Sequence, residues 1–108
     1  MGALSTGTSM TPALISNGSW TITKAFAYVK TVNTGAALII DINKNGTSIW
    51  NVTPANRLTM SAGDADKYTT QTSFDTTSLV EGDILTIDID QVGSTIAGDS
   101  LTVQLMVV

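Results

Sequence analysis

An all-β fold, a single jelly-roll-like antiparallel β-sandwich of about eight strands, is predicted by three features of the sequence. Apolar residues recur with period two, and no window of about 11 residues carries the i, i+3, i+4, i+7 pattern of an amphipathic helix. Thr and Ser number 18 and 10 among 108 residues, and β-branched Thr favours a pleated, half-buried backbone. Asn-Gly pairs and clusters of Gly, Pro and Asp punctuate the apolar runs at roughly the 8–12-residue spacing of a two-sheet sandwich. An open Greek-key sandwich is the nearest competing order.

Taken in order, the expected strands are 11–16, 20–32, 37–43, 47–52, 57–61, 68–75, 84–91 and 100–108. In the second, Ala25, Ala27 and Val29 share one face, with Phe26, Tyr28 and Lys30 on the other. In the third, Leu38, Ile40 and Ile42 alternate with Ile39, Asp41 and Asn43. Leu85, Ile87 and Ile89 alternate with Thr86, Asp88 and Asp90, and Leu101, Val103, Leu105 and Val107 with Thr102, Gln104 and Met106. The expected core is Leu38, Ile40, Ile42, Leu85, Ile87, Ile89, Leu101, Val103 and Leu105. Asn45-Gly46 is the preferred pair for a type I′ hairpin, whose two central residues both need positive φ; Asn17-Gly18 offers a second such turn. Further breaks fall at 33–35, 54–56, 62–66, 81–83 and 93–98.

Charge and side-chain chemistry remove whole classes of function. Only 13% of residues are charged and the net charge is −4, so there are too few charges to cover a monomer's surface in the usual way. With no His and no Cys, the chain lacks a near-neutral imidazole base, a thiolate nucleophile and soft metal ligands; an enzyme is not expected. Asp64 and Asp66 share one loop, whereas glycosidic cleavage needs carboxyl groups facing across a cleft. The five cations, Lys24, Lys30, Lys44, Arg57 and Lys67, are scattered, which argues against binding nucleic acid. No apolar window reaches the roughly 18 residues of a membrane span, and the opening MGALSTGTSM lacks the features of a secretory signal. Synthesis in the cytoplasm is expected, and no membrane partner. Gly2 and Thr6 fit a myristoylation pattern that Ser/Thr-rich sequence meets by chance.

Several motifs have simpler explanations than a functional site. Asp41-Ile42-Asn43-Lys44-Asn45-Gly46 matches the first half of an EF-hand loop, but Val52 stands where a bidentate Glu is required and no helices flank it. A hairpin turn accounts for the same residues. Asp41, Asp88 and Asp90 could in principle supply an oxygen-only cation site; solvated strand charges are the commoner cause, so neither metal nor cofactor is expected. Trp20, Trp50, Tyr28 and Tyr68 would suit sugar stacking if they lay outward, and packing is the default. Three glycosylation sequons, at Asn17, Asn45 and Asn51, are chance matches in so Asn- and Thr-rich a chain.

From Ile22 to Val107 the order of motifs resembles a small domain of bacteriophage virion proteins, found free-standing and at the ends of fibre proteins. The residues that carry it are 22–31 (ITKAFAYVKT) with Thr34-Gly35, 40–49 (IDINKNGTSI), 81–94 (EGDILTIDIDQVGS) and the tail 98–105 (GDSLTVQL). Residues 55–75 are only loosely similar and the first 20 are unmatched. The resemblance implies a jelly-roll-like sandwich, usually trimeric, exposed on the virion surface, with no enzymatic residues.

The expectation is therefore a capsid decoration, cement or head-fibre protein, with a carbohydrate- or receptor-binding module at a tail-fibre tip as the alternative. Residues 1–12 are expected to be an N-terminal docking arm and 13–108 the β-sandwich domain. Leu4, Met10, Leu14 and Ile15 would dock on the major capsid protein or another virion protein. Met106, Val107 and Val108, apolar on both faces of the last strand, would form the contacts of a homo-oligomer, a trimer by the resemblance.

Overall fold

The computed structural model describes residues 4–10 and 13–108. Gly2, Thr11 and Pro12, at the two ends of the expected arm, lie outside the described residues. Among the described residues nine antiparallel strands form two sheets: β1 (Leu14–Ile15), β2 (Trp20–Thr31), β3 (Leu38–Lys44), β4 (Thr47–Ser48), β5 (Leu58–Met60), β6 (Tyr68–Gln71), β7 (Ser78–Leu79), β8 (Ile84–Gln91) and β9 (Asp99–Val107), with a 3-10 turn at Pro54–Asn56. Among the described residues no helix is long and apolar enough to cross a membrane.

The first sheet has β3 at its centre, with β8 along one side and β4 and β5 along the other; β1 extends β8 outward. The second is built on β2, with β9 on one side and β6 and β7 on the other. The alternation sets which faces meet. Leu38, Ile40 and Ile42 of β3 and Ile89 of β8 are buried against Ala25, Ala27 and Val29 of β2, and Ile49, Trp50, Leu58 and Met60 complete the core. Ile22 is also buried, although its even position should face outward. A β-bulge between Ile22 and Lys24 explains this, because one extra residue inverts the in-out order.

The Asn45-Gly46 turn forms as expected: Asn45 has φ 51° and Gly46 φ 85°, and β3 pairs with β4 through Lys44 and Thr47. The Asn45 side chain anchors the turn to β8, donating to Asp83 Oδ1 at 2.9 Å and accepting the Ile84 N–H at 2.9 Å. Asn17-Gly18 does not form the second hairpin. Its flanking strands belong to different sheets, β1 to β8 and β2 to β9, and Asn17 Oδ1 instead accepts from Trp20 Nε1 at 3.1 Å. The strand expected over 47–52 stops at Ser48, because Ile49 and Trp50 turn inward to the core. The strand expected over 68–75 stops at Gln71. Short β7 was not anticipated.

Residues 4–10 do not stand apart from the sandwich. Leu4 is 5% exposed, Gly7 and Ile89 exchange backbone hydrogen bonds at 3.0 and 2.9 Å, and the Met10 N–H donates to Ile87 O at 2.8 Å. Ser9 N–H reaches Asp88 Oδ1 at 3.0 Å. This segment lies along the outer edge of β8, continuing the cover that β1 provides at its start. The packing thus places residues 4–10 of the expected arm within the fold, because an uncovered β8 would leave a row of unpaired backbone groups.

Candidate interaction surface

The two sheets close on the side where β5 packs over β6, and they part on the side of β8 and β9. The gap is an open groove of about 400 Å³. Its floor is Ile42, and its walls are Leu85 and Ile87 from β8 and Val103, Leu105 and Val107 from β9. Trp20 and Leu79 close one end, beside Leu14 and Ile15. Among the described residues no charged side chain lines it. The opening accounts for a difference from the expected core: Leu85, Ile87, Leu101, Val103 and Leu105 point inward as the alternation requires, yet they are only half-buried.

The groove is rimmed by apolar side chains that the fold leaves in water. Of the residues along it, Leu14 and Ile15 are 67% and 68% exposed and Trp20 is partly exposed; Met106 and Val108, exposed at the end of β9, alternate to the other face of that sheet. The residues expected to dock therefore separate into two groups. Leu4 is buried in the core, and Met10 is partly buried against it. Leu14 and Ile15 are held out on β1 by pairing with Leu85 and Ile84. Of the expected subunit-contact residues, Met106 and Val108 are exposed and Val107 turns into the groove.

The carboxylates are each engaged separately. Asp41 and Asp88 are cross-strand neighbours, but Asp41 accepts the Ser48 hydroxyl at 2.5 Å, Asp88 accepts Asn43 Nδ2 at 2.8 Å, and Asp90 pairs with Arg57 at 2.7 Å. Among the described residues no three acidic groups are gathered to hold a metal ion. Partial burial raises the Asp41 carboxyl above its ordinary value against the opposing Ser48 bond, with Asp90 adding to the rise. Asp83 is lowered, first by the Val80 N–H, then by Asn45, with Lys44 at 3.6 Å adding attraction. These arrangements tie loops to strands; they do not face a cleft.

Of the aromatic residues, Trp50 is fully buried, donates Nε1–H to Ser73 O at 2.7 Å and stacks on Phe74 at 5.7 Å. Tyr28 and Tyr68 are cross-strand partners, both about half exposed on the outer face of the second sheet. Phe26 lies 6.1 Å from the Tyr68 ring, and Lys24 Nζ lies 5.1 Å from the centre of the Phe26 ring.

The alternation gave the inward direction of the groove residues, but the same pattern describes a closed core. The separation of the sheets depends on which strands face each other, a long-range property that periodicity does not carry. Comparison with known proteins found no matching family model, no matching curated protein and no matching solved structure.

Proposed function

We propose that this chain is a structural, non-catalytic protein of a bacteriophage particle: a capsid decoration, cement or head-fibre protein with a jelly-roll-like sandwich, bound to the particle exterior. The family reading comes from the sequence resemblance. The observation that supports an assembly role is the apolar groove with Leu14 and Ile15 on it, each about two-thirds exposed, together with the exposed apolar end of β9 at Val108. Apolar groups concentrated in this way mark a surface that another protein covers. In this reading Leu14 and Ile15 contact the major capsid protein, and Met106 to Val108 contact other copies of the chain.

The test is the protein content of purified full heads, empty heads and tails, followed by rebinding of the purified chain to heads stripped of it. Head association, with rebinding lost in a Leu14→Ser/Ile15→Ser variant that still folds, is the expected result. Presence on tails alone, or on no particle, would overturn the reading. A second reading is favoured by the outward Tyr28–Tyr68 pair beside Phe26: a carbohydrate- or receptor-binding module of a tail-fibre tip, since aromatic faces stack on sugar rings. Glycan binding abolished by Tyr28→Ala would establish that reading in place of the first.

A further inference from the structure

The two long outer strands are treated differently. The edge of β8 is covered by backbone bonds from Gly7 and Met10 and by β1. Among the described residues β9 pairs with β2 alone. Its direction is fixed by two observations. Val29 N–H donates to Lys67 O, so beyond the bulge the odd residues of β2 turn their N–H groups toward β6 and the even ones toward β9. Lys24, Phe26 and Tyr28 are the partners of Met106, Gln104 and Thr102. At the end of the strand Val108 and Thr21 exchange both bonds, at 2.8 and 3.0 Å. By alternation Leu101, Val103, Leu105 and Val107 turn their N–H and C=O groups away from β2, toward the open edge. The same four residues have side chains pointing inward and only half-buried.

An uncovered strand of this length carries charge, proline or a bulge in most monomers; Leu101 to Val107 contains none of the first two, and the bulge of this ladder lies in β2. We infer that β9 pairs antiparallel with β9 of a second copy, about a two-fold axis at Gln104. That register sets Leu101 against Val107 of the partner and Val103 against Leu105, engaging all four outward residues of each strand. On the inner face it places apolar side chains beside apolar side chains, and on the outer face it sets Gln104 against its own copy and Thr102 against Met106. No like charges meet. The edge is about 24 Å long. With the two shorter extents of the molecule at 24 and 22 Å, a contact along this edge reaches at most on the order of 500 Å² per copy, about the 1,000 Å² total that a specific interface needs. Leu14 and Ile15 line the same groove but take no part in this ladder, so self-pairing and particle attachment are tested by different variants.

The test uses the whole chain in solution. Sedimentation at tens of micromolar should give twice 11.3 kDa. Gln104→Lys and Gln104→Glu each place like charges opposite one another on the exposed face, and each should weaken the dimer about fivefold. Mixing the two should restore it as a heterodimer. In a chain without cysteine, Gln104→Cys should cross-link across the axis under mild oxidation and Thr102→Cys should not; unchanged melting of the reduced variants checks the fold. A parent that is monomeric at hundred-micromolar concentration, a trimer, or a dimer indifferent to charge at position 104 would each overturn the pairing. Occupancy on particles is read separately and does not decide it.

Discussion

Leu4 is fastened to Gly98: its N–H donates to the Gly98 carbonyl at 3.0 Å, and its side chain is 5% exposed within the core. A residue near the start of the chain thereby closes over the loop that leads into β9. Replacing it should cost stability rather than attachment. Leu4→Ala should lower stability by about 2–4 kcal/mol, read by denaturant melting. Starting the chain at Ala13 should cost more, since it also removes the bonds from Gly7 and Met10 that cover β8. A truncated chain that melts like the parent would show that these contacts are dispensable.

Gly46 sits at φ 85° with open space around its missing side chain, so substitution there tests backbone conformation free of steric contact. Gly46→Val should cost about 1–2 kcal/mol, because an L residue with a branched Cβ is strained at that angle. The turn also presents the Asn45 amide to Asp83 and Ile84. Asn45→Ala should therefore destabilise as well, despite standing at an exposed tip. Thermal melting of the two variants checks both, and an unchanged Gly46→Val would mean that the turn adopts another form.

Ile87 and Ile89 stand on the same face of one strand, yet only Ile89 is enclosed, at 1% exposed. Ile89→Ala should cost about 2–5 kcal/mol by leaving a cavity in the core. Ile87 lines the groove, where water or a neighbouring chain already meets it, and Ile87→Ala should cost about 1–2 kcal/mol in the monomer. Equal losses at the two positions, measured by equilibrium unfolding, would mean that the sheets close over Ile87 in solution.

This pair also shows how far the sequence could be read. Period-two alternation is local, and it placed Leu38, Ile40, Ile42, Ala25, Ala27 and Val29 on the faces they occupy. The turn at Asn45-Gly46 was equally legible, since its chemistry resides in two residues. Three things were not. Pairing partners depend on distant chain, so Asn17-Gly18 read as a hairpin although β1 joins β8. The bulge at Ile22 inverts the alternation without a Gly to mark it. The segment 4–10 has no alternation because backbone bonds to β8 and the single buried side chain of Leu4 hold it in place. The groove is the sum of such long-range choices.

Asp41 and Asp83 should give stability opposite dependences on pH. Asp83 is held below its ordinary value by the Val80 N–H, the Asn45 amide and Lys44. The folded state therefore binds its proton less readily than the unfolded chain. Its contribution is complete above the unfolded value and is lost as pH falls through the folded one. Asp41 is raised, chiefly because burial disfavours its charge. There the folded state holds the proton more readily, so ionisation at neutral pH weakens the fold, and stability is recovered as pH falls from the folded value toward the unfolded one. Asp41→Asn, which can still accept the Ser48 hydroxyl, should raise the melting temperature at neutral pH, with the gain fading in acid. Asp83→Asn should lower it at neutral pH, and that loss should shrink in acid as the parent carboxylate protonates. Melting of both variants and the parent from neutral pH down through the carboxylate range checks the signs. A neutral-pH loss in Asp41→Asn would show that the Ser48 bond, and not burial, governs that carboxylate.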